Sequence, residues 1–271
     1  MAWINGGILL SIIATVILGV MFAHGVELQH QVLHGQGFRN RRLNDCVGVI
    51  LGLPMLVSYA GYQASHLRHH RDLGTPHNKE FFDYGDQYGL SPFATLGLWA
   101  KRLLMPAHYV SFLQNLGRAL TNRPVPGETS DVSECMRRDY LCMLAAISEV
   151  TALSVVLHTP YVLTLWLLPL LLVAAPAHAL IEMPEHYQCD VKSTDAYRNT
   201  RTIQSNGFMY WLTNGNNYHV EHHMMPALPI DRLHDLHPTI ESKIIHLYPT
   251  YRAFYRDVLR NKITPIRTEG V

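Results

Sequence analysis

The placement of charge constrains this chain before any motif is read. No charged residue occurs from Ala2 to Ala23, and none from Tyr161 to Ile181. Each stretch is close to the ~20 residues that a helix needs to cross the hydrocarbon of a bilayer. A backbone surrounded by lipid must satisfy its own hydrogen bonds, so such stretches read as helices. Tyr140–Leu157 is a further apolar stretch, joined to the one from Tyr161 by His158-Thr159-Pro160, short enough for a hairpin. Glu149 lies inside it, where an ionisable side chain is costly and invites a functional reading. Pro169 and Pro176 are expected to bend the last span. No Lys or Arg precedes Arg39, so the first stretch reads as a retained anchor rather than a cleaved signal.

All 22 Lys and Arg fall between Arg39 and Arg138 or after Val191. By the positive-inside tendency this places the N-terminus outside and both basic regions in the cytoplasm. Cys46–Ser65 is apolar too, but Gly48, Gly52, Pro54 and Gly61 interrupt it. It is expected to lie along or dip into the inner leaflet. Ser91–Leu120 mixes Phe93, Trp99 and Tyr109 with Lys101, Arg102 and Arg118, which suits an interfacial segment. Thr121–Ser133 reads as a polar loop, and the tail from Pro226 as a soluble cap. The expectation is an all-α integral-membrane bundle over residues 1–271, one domain. It has about three transmembrane helices plus interfacial helices, with a cytoplasmic cap carrying a dinuclear metal site.

The metal enters through histidine spacing. His219, His222 and His223 stand at i, i+3 and i+4, one face of a helix, while Glu221 turns aside. The same spacing recurs at His66, His69 and His70, and His30 and His34 form an i, i+4 pair. On the topology above, all three clusters share the cytoplasmic side. His186 arrives there at the end of the last span and reads as a ninth ligand. Glu27 and Glu182 stand at helical spacing from His30 and His186, as carboxylates able to hold a ligand imidazole from behind. His24 is rotated off the face of His30 and His34 and stays out of the site; His77 reads as a loop residue, and His234, His237 and His246 as surface or packing residues. One structural zinc takes about four ligands, so eight or nine imply two metals. Imidazole suits iron, copper, nickel or zinc. The four cysteines show no Cys-x-x-Cys spacing, and the net charge of +1 gives no reason to expect nucleic acid.

His30-Gln31-Val32-Leu33-His34, His66-Leu67-Arg68-His69-His70 and His219-Val220-Glu221-His222-His223 together resemble the three histidine boxes of the integral-membrane fatty acid desaturase and hydroxylase superfamily. Phe38–Asp45 after the first box, and Asn217-Tyr218 before the third, resemble the family as well. Glu185-His186-Tyr187 resembles its additional histidine. The resemblance covers roughly Glu27 to His237. It implies two iron ions, dioxygen as co-substrate, the boxed histidines with His186 as ligands, and an active site on the cytoplasmic face. It also implies a lipid or acyl substrate and a separate electron donor, ferredoxin or cytochrome b5-like, because no such domain is fused. Only one span precedes the first box, where many members have two. The third box opens with His rather than Gln, which argues against front-end desaturases. Desaturation of a fatty acyl chain is the expected reaction. Hydroxylation or ketolation of a lipid, alkyl or carotenoid substrate is the alternative, and a non-catalytic membrane metal-binding protein ranks below both.

Overall fold

A computed structural model describes residues 7–75, 77–78, 92–190 and 192–260, without the side chains of 92–96. Trp3, Ser91 and the tail beyond Arg260, which belong to the expected first span, interfacial segment and cap, lie outside the described residues. The regular structure of the described residues is helical, apart from a single pairing of two-residue strands. Three helices are long and apolar enough to cross a membrane, Ile8–Leu33, Ser130–Val156 and Val162–Glu185, and the chain is an integral-membrane protein. It divides into two compact units whose boundaries fall inside helices. Unit 1 holds residues 1–64 and 98–179, and unit 2 holds 65–97 and 180–271.

In unit 1, α1 (Ile8–Leu33) is apolar all round, and Ile8, Leu9, Ile12 and Ile17 are more than half exposed. That surface suits lipid rather than water. α1 runs on past Ala23 and carries His30 in its last turn. A Cβ added at Gly19 would stand 2.8 Å from the carbonyl oxygen of Pro169, so the absence of a side chain lets α1 approach the last span. α2 (Arg41–Gly52) starts at Asn40, whose side chain accepts from the Arg42 amide. A short 3-10 turn, Leu53–Met55, follows, and the chain axis then swings by 98° into α3 (Tyr59–Asp72). Gln29 holds this break by donating to the carbonyls of Gly48 (2.9 Å) and Val57 (3.3 Å). Trp166 donates its indole N–H to the Pro54 carbonyl.

The start of α3 is capped from a distance. The buried Asp139 carboxylate accepts from the Ser58 hydroxyl at 2.7 Å and the Ala60 amide at 2.8 Å. Both donors sit at a helix N-terminus, where amides are orphaned and negative charge is favoured. α4 (Pro92–Leu104) and α5 (Pro106–Leu120) meet at Met105, whose φ of 49° is left-handed. The loop that follows is shorter than Thr121–Ser133. Thr129 accepts from the Val132 amide, and α6 (Ser130–Val156) begins there. Ser133, inside the first turn of α6, accepts from the Val125 amide. Glu149 is exposed on α6.

The last span, α7 (Val162–Glu185), is not a regular α-helix. Val162–Leu167 and Leu170–Ala174 are π-helical and flank Pro169. Proline lacks the donor for an i→i−4 bond and crowds the carbonyl four residues back; a widened turn accommodates both. The core of unit 1 gathers Val26, Met55, Phe112, Met136, Met143 and Leu170.

Unit 2 carries the carboxyl-terminal half of α3 and the end of α7. It then runs through α8 (Ala196–Asn199), β1 (Thr202–Ile203), α9 (Gly207–Leu212) and α10 (His219–Met224), and on through α11 (Leu233–Ile240), β2 (Leu247–Tyr248) and α12 (Tyr251–Leu259). β1 and β2 pair in parallel, Thr202 opposite Leu247. The stretch from Ile240 to Leu247 is a 3-10 turn and an extended segment rather than a continued helix.

Candidate metal site

Unit 2 brings seven of the histidines singled out above onto three elements. α3 contributes His66, His69 and His70; α10 contributes His219, His222 and His223; and His186 follows the 3-10 turn Met183–Glu185 that ends α7. They gather about two foci. At one, the ligand atoms of His69, His186, His219 and His223 all lie within 4.8 Å of one another. His219 Nε2 stands 3.1 Å from His186 Nε2 and 3.1 Å from His223 Nε2. At the other, His70 Nε2 stands 2.9 Å from both His66 Nε2 and His222 Nε2. In unit 1, His30 and His34 lie side by side, ring centroids 5.2 Å apart.

Whether such sets fit a metal follows from their edges. Two nitrogens each ~2.1 Å from one ion stand about 3.0 Å apart at a right angle and about 3.4 Å apart at the tetrahedral angle. The edges of 2.9 and 3.1 Å show nitrogens close enough to share one ion. Two foci are consistent with a dinuclear site. The donors are all imidazole nitrogens, a set that suits iron, copper, nickel or zinc.

A ligand imidazole must also be neutral and present a lone pair. His186 donates its Nδ1 proton to the Asn199 carbonyl at 2.8 Å, leaving Nε2 bare. A carbonyl only accepts, so this tautomer is fixed. Asn216 does the same for His219. Its Nδ2 donates to Glu185 Oε1 at 2.8 Å, which turns its Oδ1 toward His219 Nδ1 at 3.2 Å. His69 Nδ1 meets Asn78 Oδ1 at 3.1 Å. Burial, reinforced by the neighbouring imidazoles, holds His186 and His223 well below the usual histidine range. Burial also lowers His34 to about 4. These side chains are neutral at physiological pH, as metal ligation requires.

α10 is only six residues long, and a helix of that length does not hold itself together. Glu221, fully buried on the side away from the imidazoles, anchors it. Its Oε1 accepts from His237 Nδ1 at 2.5 Å and its Oε2 from the Thr202 hydroxyl at 2.6 Å. The Thr202 oxygen in turn accepts from the Val220 amide. Of the two readings of His237, surface or packing, the structure shows packing: it is a buried partner of the box helix. His246 is half-buried and bonds the Arg198 carbonyl.

The turn that presents Glu185 and His186 is held by Arg201, 1% exposed. Its guanidinium donates to the carbonyls of Pro184 (2.5 Å) and Tyr187 (2.7 Å) and lies 4.8 Å from the centre of the Phe254 ring. Sequence reading passed over Arg201 and Asn199, which act on residues distant along the chain, and over Asn216, whose bond to His219 is local but whose orientation is set by Glu185, 31 residues away.

The two carboxylates expected behind the ligands fall in different units. Glu27 is 2% exposed and its Oε1 lies 3.6 Å from Nδ1 of His178, a residue not singled out as its partner. Glu182 is half-buried at the end of the α-helical part of α7.

Comparison with known proteins agrees with this geometry. Residues 7–255 match the fatty acid desaturase family. No curated protein matches the chain. The family match points to di-iron, dioxygen-dependent enzymes that modify lipids. With apolar spans, clustered imidazoles and a match over nearly its whole length, the chain belongs to the fatty acid desaturase family and is a membrane oxidoreductase with a metal-dependent active site.

Proposed function

We propose that this protein introduces a double bond into a fatty acyl chain, using dioxygen and two electrons from a separate ferredoxin or cytochrome b5-like donor. The ligands are His30, His34, His66, His69, His70, His186, His219, His222 and His223, and they hold two irons. The observation that carries the reading is the pair of imidazole foci in unit 2, with Nε2–Nε2 edges of 2.9 and 3.1 Å. The family match supports extending the set to His30 and His34. Glu27 and Glu182, at helical spacing from His30 and His186, are the supporting carboxylates of this reading.

When bound, the iron pair supplies the power to activate dioxygen and remove hydrogen from an unactivated C–H bond. The chain's own residues keep the imidazoles neutral, fix their tautomers and exclude water. Apolar spans let a lipid enter from the bilayer. The clustering of Lys and Arg supports an outside N-terminus and a cytoplasmic site. Along this chain the whole set is one catalytic domain.

The experiment is product analysis by mass spectrometry in membranes supplied with a reductase and donor. Loss of two hydrogens from an acyl chain is the expected result; gain of one oxygen would reassign the reaction as hydroxylation. His222→Ala should abolish turnover and lower bound iron, whereas His77→Ala, on an exposed turn, should leave both unchanged. Full activity in His222→Ala would sink the ligand assignment.

A further inference from the structure

Two buried carboxylates lie beside the imidazoles of unit 2, and they are used differently. Both oxygens of Glu221 are engaged away from the foci, by His237 and Thr202. Glu185 turns one oxygen to Asn216 and the other to His219. Oε1 accepts from Asn216, while Oε2 lies 3.4 Å from His219 Nε2. The Nδ1 of that ring lies 3.2 Å from Asn216 Oδ1, which leaves Nε2 as the nitrogen turned toward the focus. Oε2 and this nitrogen face each other in a buried place, His219 1% and Glu185 8% exposed. A carboxylate buried there calls for positive charge beside it.

The charge balance of the focus points the same way. His69, His186, His219 and His223 are four neutral donors, and a dication among them brings two positive charges into a buried space. An uncompensated buried charge is costly, and a carboxylate alongside lowers that cost. The backbone on either side of Glu185 is held rigidly in place. The Arg201 guanidinium clamps the turn, and the Arg201 amide donates to the Glu185 carbonyl at 2.8 Å.

We propose that Glu185 is a positioning residue that acts through both of its oxygens. Its Oε1 fixes Asn216, and through it the His219 tautomer, while its Oε2 faces the ion at this focus and supplies negative charge to it. The proposal rests on reading these imidazoles as ligands, and the test separates the two. Glu185→Gln keeps the volume and an acceptor for Asn216 but removes the charge. Glu185→Asp keeps the charge.

The experiment is cobalt(II) titration of the metal-stripped full chain in detergent, read by chelator competition and by the visible spectrum of the bound ion. The wild type is expected to take up two ions. Glu185→Gln should bind one as the wild type does and the other about 10- to 100-fold more weakly, with an altered spectrum. Glu185→Asp should retain more affinity than Glu185→Gln. The metal-free variants should melt where the metal-free wild type melts. Wild-type affinity and spectrum in Glu185→Gln, or Glu185→Asp binding more weakly than Glu185→Gln, overturns the proposal. So does loss of both ions together with a lowered melting point, which marks a purely structural role. A wild type that binds no pair of ions overturns the ligand reading itself.

Discussion

Glu221 and His237 form a buried pair, Oε1 to Nδ1 at 2.5 Å, on the opposite side of α10 from the three histidines of its box. Breaking a buried pair by removing one partner costs about 3–5 kcal/mol, because the other group is left uncompensated. His237→Ala should therefore lower the melting temperature of the detergent-solubilised protein and release metal from the α10 histidines. Retention of both wild-type stability and metal content would show that α10 holds its place without this anchor.

Arg201 bridges two carbonyls that a lysine cannot span. A planar guanidinium reaches Pro184 and Tyr187 together, whereas an ammonium is a single point of charge. Hydrogen bonds from a charged donor contribute roughly 1.5–3 kcal/mol each. Arg201→Lys is expected to lose stability on about that scale and to lose metal, despite keeping its charge. Thermal melts and metal counts on the variant check this; a Lys variant equal to wild type would refute the clamp.

Asp139 caps α3 across a gap of 81 residues to Ser58. Asp139→Ala removes two acceptor bonds and a favourable charge at a helix start, a loss of about 1–2 kcal/mol. Asp139→Asn should lose less. The order of melting temperatures, wild type above Asn above Ala, is the check.

The metal-free protein should lose stability in acid through its histidines. Burial lowers His34 and His246 from 6.5 to about 4 in the fold. The unfolded chain takes up these protons first, so the stability present above pH 6.5 drains away as pH falls from 6.5 to about 4. His186 and His223, also lowered by burial, extend the loss in the same direction. Chemical denaturation of the stripped protein at stepped pH measures it. Stability that is flat across that window would contradict the burial of these imidazoles.

Much of this was legible in the sequence, and the reason is geometric. Helical spacing alone placed His219, His222 and His223 on one side of α10 and Glu221 aside, and the uncharged runs marked the spans. The misses share a cause. Asn199 fixes His186 from 13 residues away, and Arg201 holds the turn before it from 17 and 14 residues away. His237 joins Glu221 across 16. Local periodicity carries no information about such pairings. The expected loop Thr121–Ser133 ran too long for a related reason: Thr129 and Ser133 look like loop residues, yet they cap and brace the start of α6. The π-helical turns around Pro169 were anticipated only as a bend.

The tautomer locks on His186 and His219 have a cost in selectivity. A site whose imidazoles are already turned inward accepts whatever divalent ion arrives, and nitrogen donors rank copper and zinc above ferrous iron. Affinity at an all-imidazole set therefore gives the chain no preference for iron. Which metal it carries is therefore decided by the supply at the moment of loading. Protein made in an iron-poor, zinc-rich cell should emerge well folded, fully loaded and inactive.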